Sequence, residues 1–287
     1  FFKQKTAYES MPSLVGSEMC IRDRVLLAID IGNTNITVGL FNGEALSATW
    51  RISTDSSKTS DEYGLQLTQM LEGQKSYVEE ISHVTICSVV PPLTPTFESL
   101  CQRYFKAKPL IVGSGTRTGV KVLYDSPRDV GTDRVVDAAA ALHIYGGPAI
   151  IVDLGTATVF DAITRSGEYL GGAIAPGMGV SGDALFRATS QLRRVELTAP
   201  ETAIGKNTPH SIQSGLVLGY TELVKGMIKR FKEELSNESY VIGTGGLANV
   251  VQKESSVFDT VDPDLTLKGC LLYTSDAADD TPCVDLG

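Results

Sequence analysis

Two segments of the chain share one pattern of apolar and polar positions. In each segment an apolar run ends in aspartate, one apolar residue and a glycine follow, and a second alternating run closes on Gly-Glu. The segments are residues 25–44 (VLLAIDIGNTNITVGLFNGE) and 149–168 (AIIVDLGTATVFDAITRSGE). The runs are short and rich in β-branched residues, which favours strands over buried helices. The pattern therefore predicts a β-hairpin used twice, with third strands over 44–52 and 169–175.

After each strand triplet the pattern changes to helical periodicity with intervening short strands. The predicted helices are 61–71, 93–105, 129–145 and 211–234, and the predicted strands are 84–89, 110–112 and 240–242. The same order, strands followed by alternating helices and strands, occurs twice along the chain. It predicts two α/β domains of one topology with a cleft between them. We expect these domains over 25–140 and 141–269. One continuous α/β sheet with accidental similarity between the two segments is the alternative.

Composition narrows the class of protein. The chain has 287 residues, 42% of them hydrophobic, which is enough to bury a large core. Its net charge of -9 argues against a nucleic-acid partner, because such proteins carry a basic surface. No stretch approaches the roughly 20 apolar residues of a membrane span, so no membrane partner is expected. The five cysteines form no CxxC pair and no zinc-type spacing with the three histidines, which favours the reducing cytoplasm.

Both ends of the chain differ from the rest. Residues 1–24 and 270–287 carry no clear periodicity and resemble translated adapter sequence, so we expect both to be non-native tails. A signal peptide is the alternative for the first of them, but it lacks a continuous apolar core.

The two hairpin turns carry residues suited to binding phosphate. Gly32 and Gly155 let the main-chain N–H groups approach a phosphate closely. Asp30 and Asp153, at the strand ends, are placed to hold a cation beside it. Short polar side chains flank both turns, at Asn33, Thr34, Asn35, Thr156 and Thr158. The alternative is a hairpin in which the aspartate closes its own turn, but the repetition favours phosphate binding.

Two further glycine-rich segments are less specific. Gly243-Thr-Gly-Gly follows a short predicted strand and either lets the backbone lie against a ligand or forms a flexible turn. Residues 177–182 match GxGxxG, the dinucleotide motif. Pro176 separates this match from the preceding run, which the repeat already assigns to a third hairpin strand. A glycine-lined pocket wall or a tight turn is the better interpretation.

Asp133 is a candidate general base. It lies in Gly-Thr-Asp-Arg, directly before the helix-forming run VVDAAAALHIY, and so near a helix N-terminus that favours an ionised carboxylate. Such a carboxylate can accept the proton of an attacking hydroxyl in phosphoryl transfer. The alternative is a helix cap with Arg134 as its surface ion-pair partner.

The order of four motifs carries a family resemblance. DIGNTN (30–35), GTDR (131–134), DLGTAT (153–158) and GGAIAPG (171–177) closely resemble type III pantothenate kinases, of the sugar-kinase, heat-shock-ATPase and actin superfamily. The resemblance implies an α/β fold of two ribonuclease H-like domains with an interdomain ATP cleft. It also implies transfer of the ATP γ-phosphate to pantothenate, giving 4'-phosphopantothenate in the first step of coenzyme A biosynthesis. Another small-molecule kinase of the superfamily, or a non-catalytic ATP-binding regulator, is the alternative.

The resemblance also assigns roles to individual residues. It implies magnesium as a cofactor, a monovalent cation (potassium or ammonium) at Asp153, and a homodimer that shares the acceptor pocket. It makes Asp133 the proton acceptor. The implied ATP contacts are Asp30, Ile31, Gly32, Asn33, Thr34, Asn35, Ile36, Thr37 and Thr156, and the implied pantothenate contacts are Tyr124, Gly131, Thr132, Asp133, Arg134 and Thr208. Tyr124 as a packed aromatic and Thr208 as a helix cap are the alternatives.

The chain departs from the family pattern at two places. Val159 stands where the second hairpin commonly has another threonine, which removes a hydroxyl from the site. Residues 265–269 read as the start of a final helix, which we expect the tail to interrupt.

Overall fold

The computed structural model describes residues 25–73, 81–113, 116 and 119–279, with side chains as far as Tyr273. The predicted tail over 1–24 lies outside these residues. The chain divides into two compact units, one ending at Gly113 and one running from residue 114 to Gly269, and the residues from Cys270 group with the first. Among the described residues, no helix combines the length and apolar character of a membrane span.

The described residues of the first unit as far as Gly113 form five strands and two α-helices. They are β1 (Val25–Ile31), β2 (Asn35–Asn42), β3 (Ala45–Ser53), α1 (Ser60–Gly73), β4 (Ile81–Ser88), α2 (Thr94–Tyr104) and β5 (Leu110–Ile111).

The described residues of the second unit form six strands and most of the helices. They are β6 (Lys121–Val122), α3 (Thr132–Tyr145), β7 (Ala149–Leu154), β8 (Ala157–Ile163), β9 (Glu168–Pro176), α4 (Met178–Ala188), α5 (Thr208–Gln213), a π-helical turn (Ser214–Leu218), α6 (Gly219–Glu234), β10 (Tyr240–Thr244), α7 (Ala248–Ser255), β11 (Thr260–Val261) and the start of α8 (Leu265–Asp279), whose residues from Cys270 group with the first unit.

The two sheets repeat one topology. The first sheet has the order β3-β2-β1-β4-β5, and the second has β9-β8-β7-β10-β11 with β6 added beside β9. In both, the first three strands are antiparallel and the next two extend the sheet in parallel. The predicted α/β fold of duplicated topology is therefore confirmed, and the alternative of one continuous sheet is wrong.

Helices cover both faces of the second sheet because the side chains of β7 alternate between them. Ile150 and Val152 pack in a cluster with α6 and α7, whereas Ala149 and Ile151 pack with α3. In the first unit, β1 and β4 pack against α1 and α2 through a cluster centred on aromatic and aliphatic side chains that include Tyr63. These cores hold the hairpin turns at the strand ends.

The start of α3 differs from the prediction in an informative way. The helix predicted from residue 129 begins at Thr132, because Pro127–Asp129 forms a separate 3-10 turn and Val130 is extended. The compact units divide after Gly113, and residues 140 and 141, between which the sequence places a domain boundary, lie within α3.

The expected interruption of the last helix is wrong. Helix α8 continues through Gly269 to Asp279. Cys270 and Tyr273 are three residues apart and therefore share one face of the helix, and both side chains are buried. Burial of that face lets the helix continue where the sequence pattern ends.

Candidate active site

The turn of the first hairpin presents polar residues between two core positions. The Gly32 N–H donates to the carbonyl of Asn35 at 3.0 Å and closes the turn. Asn33, Thr34 and Asn35 are exposed, while Asp30 and Thr37 are half-buried and lie opposite each other in the register of β1 and β2. The neighbouring Ile31 and Ile36 are fully buried. A ligand at this turn therefore meets the two isoleucines only through their main chain.

The second hairpin repeats this arrangement with a shorter turn. The Gly155 N–H donates to the carbonyl of Ala157 at 3.0 Å, and Thr156 is exposed at the tip. Asp153 lies opposite Val159, in the place that Thr37 occupies opposite Asp30 in the first hairpin. Directly opposite residues of an antiparallel pair have neighbouring side chains. Val159 therefore removes a hydroxyl beside Asp153.

Glycines make room for the carboxylate of Asp153. A Cβ on Gly245 would collide with Asp153 Oδ1 and with the backbone of Leu154, and a Cβ on Gly155 would lie 3.4 Å from the same oxygen. Gly245 also has a φ of 84°, which favours glycine. Gly243-Thr-Gly-Gly is thus packed against the second hairpin.

The environment of Asp153 disfavours the charged form of its carboxyl. Burial, together with the negative charges of Asp133 and Asp161, raises the pKa of this carboxyl to about 7. Within the described ranges, no three His, Cys, Asp or Glu side chains converge tightly enough to enclose a metal ion by themselves. The Thr158 hydroxyl is buried without a hydrogen-bond partner among the described residues, but it lies on the opposite face of the hairpin from Asp153. A carboxylate whose charged form is disfavoured by burial, in a cradle of glycines, fits a cation that would offset its charge.

Arg134 is held by a buried carboxylate on β8. Its Nη2 lies 2.6 Å from Asp161 Oδ1, and its Nε lies 3.1 Å from the same oxygen. The Tyr169 hydroxyl also donates to Asp161 Oδ1, at 2.6 Å. Arg134 and Asp161 are 9% and 3% exposed, so this ion pair is shielded from water. The surface Asp133–Arg134 ion pair, considered as an alternative above, is therefore not formed.

Asp133 lies at the N-terminus of α3, as the sequence predicts. The helix begins at Thr132 after Gly131, and Asp133 Oδ1 accepts a hydrogen bond of 2.8 Å from the Arg134 N–H. Burial raises the pKa of Asp133, and that hydrogen bond and the Arg134 charge oppose the rise. The N-cap is Gly131, which makes no side-chain cap, so Asp133 is not the helix cap.

The glycine pair at 171–172 creates space beside Arg134. Gly171 has a φ of 118°, and a Cβ there would lie 3.2 Å from the ring of Tyr124. A Cβ on Gly172 would lie 2.9 Å from Arg134 Nη2 and would collide with the backbone of Phe160. Only glycine lets β9 approach both side chains. Tyr124, Asp133 and Arg134 are thus grouped at one end of α3.

Thr208 lies in a different part of the second unit. It is the first, exposed residue of α5 and lines an open groove of about 620 Å³ between α4 and α5. The residues that line this groove are Leu185, Leu192, Gly205, Lys206, Asn207, Thr208, Ser211, Ile212, Gly215 and Leu216. They do not include Tyr124, Asp133 or Arg134. Asn207 is the cap of α5, since its side chain accepts from the His210 N–H, so the cap interpretation of Thr208 is wrong.

Comparison with known proteins identifies the family. The family model described as type III pantothenate kinase matches residues 26–230, well over half of the chain. The chain belongs to this family. As a member, it is an ATP-dependent kinase connected with coenzyme A biosynthesis.

Solved structures support the fold of this family member. A protein assigned to the Baf family of transcriptional activators from Campylobacter jejuni has a TM-score of 0.57 at 18% identity, covering 88% of this chain and 99% of its own. The ethanolamine utilization protein EutJ from Carboxydothermus hydrogenoformans has a TM-score of 0.52 at 14% identity, covering 86% and 89%. The activator of 2-hydroxyisocaproyl-CoA dehydratase from Clostridium difficile, with bound ADPNP, has a TM-score of 0.51 at 14% identity, covering 89% and 96%.

Sequence reasoning missed two residues that hold Arg134 of this kinase. Asp161 and Tyr169 are fixed only by the pairing of β8 and β9 beside α3. The sequence did contain a signal for Asp161, which is the only charged residue of the strand ATVFDAI. A charged residue in a buried strand is rare unless it is paired.

Proposed function

We propose that this family member phosphorylates pantothenate, using the γ-phosphate of ATP to make 4'-phosphopantothenate. The family match over residues 26–230 carries the proposal. The grouping of a carboxylate, a buried guanidinium and a tyrosine at the start of α3 supports it, since a carboxylate-bearing alcohol needs both a base and a cation.

Asp133 is the proposed base. Its carboxylate takes the proton of the pantothenate hydroxyl while that oxygen forms a bond to the γ-phosphorus. The bond from the γ-phosphorus to the β,γ-bridging oxygen breaks, and ADP leaves with that electron pair. Phosphoryl transfer through a loose transition state asks for only a weak base, which suits a carboxylate.

Arg134 is the proposed anchor of the pantothenate carboxylate. Asp161 accepts from Nε and Nη2, and Tyr124 also hydrogen-bonds the guanidinium, so the group is held in place with its positive charge available to attract an anion. Tyr124, Gly131 and Thr132 surround it as further pantothenate contacts. Thr208 belongs to the same contact set by resemblance, and we propose that a second copy of the chain supplies it.

The nucleotide is proposed to bind the hairpin turns. The contacts are Asp30, Ile31, Gly32, Asn33, Thr34, Asn35, Ile36 and Thr37 of the first hairpin, together with Thr156 of the second. Magnesium would neutralise charge on the phosphates. A monovalent cation, potassium or ammonium, would bind at Asp153, where the buried carboxylate and the glycine cradle fit it.

A homodimer is proposed from the resemblance and from exposed apolar side chains. Leu170 and Ile174 of β9 are 44% and 65% exposed, and Phe186 of α4 is 41% exposed. Exposed apolar side chains that form a patch commonly mark interfaces between proteins.

An acceptor panel tests the function. Pantothenate and several sugars are incubated with ATP and magnesium, with and without potassium, and ADP formation is measured. We expect transfer to pantothenate only, and only with the monovalent cation. Activity on sugars alone would indicate another small-molecule kinase of the superfamily, and ATP binding without any phosphorylated acceptor would indicate a regulator.

A further inference from the structure

The turn of the first hairpin is fastened from strand β3 by one residue, Thr54. Its hydroxyl donates to the Gly32 carbonyl at 2.6 Å, and its N–H donates to the Thr34 carbonyl at 3.0 Å. Thr54 is the first residue after β3 and is half-buried. One residue therefore binds two carbonyls of the proposed phosphate-binding turn.

These two bonds orient the peptide units of the turn. In a trans peptide the carbonyl and the N–H of one unit point in opposite directions. The units that contain the Gly32 and Thr34 carbonyls carry the N–H groups of Asn33 and Asn35. Since both carbonyls point to Thr54, both N–H groups point away from it. Main-chain N–H groups of a turn oriented together are the usual donors to phosphate.

The second hairpin has an equivalent contact, which argues that the feature belongs to the repeat. Gly177 is the first residue after β9, and its N–H donates to the Thr156 carbonyl at 3.0 Å. Thr156 directly precedes β8, as Thr34 directly precedes β2. A Cβ on Gly177 would collide with the Thr156 carbonyl, so this copy uses the N–H alone. Of Thr54 and Gly177, only Thr54 adds a hydrogen bond from a side-chain hydroxyl.

We infer that Thr54 is a positioning residue, which holds the first hairpin turn so that the N–H groups of Asn33 and Asn35 bind the phosphates of ATP. The inference rests on the proposed function, because it takes this turn as a phosphate-binding element. Thr54 acts through the turn and not on the acceptor. Its loss should therefore weaken binding of the phosphates and leave recognition of adenosine and of pantothenate in place.

The test compares T54V, which removes the hydroxyl and keeps the branched shape, with T54S, which keeps the hydroxyl. T49V is the matched control, because Thr49 is an exposed threonine on the same strand. Circular dichroism checks that each variant is folded. Dissociation constants for ATP and adenosine are measured by calorimetry, and KM is measured for ATP and for pantothenate.

We expect T54V to weaken ATP binding and raise its KM about tenfold, the effect of one lost hydrogen bond and a loosened turn. Adenosine binding and the KM for pantothenate should stay at the wild-type values, and T54S and T49V should bind ATP as the wild type does. Equal ATP affinity in T54V and wild type, an equal loss of adenosine affinity, or a tenfold loss in T54S would overturn the positioning role and leave the kinase proposal intact. A wild-type chain that binds no nucleotide would overturn both.

Discussion

Arg134 and Asp161 form a buried ion pair in which the carboxylate sets the direction of the guanidinium. The contact joins Nη2 to Oδ1 at 2.6 Å, and Nε shares the same oxygen. The Tyr169 hydroxyl donates to this same oxygen and also holds the carboxylate in place. A guanidinium held in this way keeps its full charge and a fixed orientation, which is what recognition of a small carboxylate requires.

Removal of the Asp161 charge should damage both stability and acceptor binding. In Asp161→Asn, Arg134 is left buried without its counter-charge, and we expect the free energy of unfolding to fall by about 3 kcal/mol. The KM for pantothenate should rise while the KM for ATP changes little. Urea unfolding and steady-state kinetics measure the two effects. Asp183→Asn, which breaks the exposed pair with Arg194, is the matched control and should change stability by less than about 1 kcal/mol.

Asp133→Asn should abolish transfer because the amide cannot accept the proton. We expect kcat to fall by about 100-fold or more, while ATP binding measured by calorimetry remains nearly intact. Asp129→Asn changes an exposed aspartate just before the same helix and should leave kcat unchanged. Wild-type turnover in Asp133→Asn would remove Asp133 from the role of base.

The raised pKa of Asp153 predicts a pH-dependent response to potassium. Its carboxyl titrates at about 7 in the folded chain, against about 3.9 for an unfolded aspartate. Between these values the folded state binds more protons, so this residue's contribution to stability falls as pH rises from about 4 to 7 and is constant above that. A cation that binds the Asp153 carboxylate offsets this loss of stability. Potassium chloride should therefore raise Tm more at about pH 8 than at about pH 5.5, where Asp153 is protonated.

The control for this response is Asp153→Ala, with tetramethylammonium chloride as the matched salt. The variant should lose both the potassium-dependent rise in Tm and the activation of transfer. A variant that potassium still activates would refute the cation site at Asp153.

The proposed dimer predicts a defined change in molecular mass. The wild-type chain should sediment as a dimer, and Ile174→Glu should shift it toward the monomer because a buried unpaired charge is costly. Thr49→Val, on the first unit, is the control for analytical ultracentrifugation. A wild-type monomer would contradict the dimer, and with it the supply of Thr208 by a second copy.

The duplicated hairpins were predictable from sequence because alternating apolar residues indicate strands directly. The occurrence of the same pattern in two segments strengthened that prediction. Helices with clear periodicity, such as α1 and α2, were predictable for the same reason, with ends that differ by one or two residues. The continuation of α8 was not, because burial of Cys270 and Tyr273 depends on contacts that no local pattern records.

The motifs containing Asp133 and Gly171-Gly172 were visible in the sequence, and the family resemblance assigned the first of them a role. Their physical reasons were not visible. Pairing of β8 with β9 beside α3 brings Asp161 and Tyr169 to Arg134 and makes a side chain at 172 impossible. The two hydrogen bonds from Thr54 to the turn were not visible in the sequence either, because they follow from the register of β2 and β3.

The sequence by itself determined the strand repeat, the glycines of the turns and the family, since these depend on residue type and spacing along the chain. Only the tertiary structure decided which groups hold the functional side chains. Partners such as Arg134 and Asp161 are 27 residues apart, and their contact depends on strand register and helix packing, which local sequence patterns do not encode.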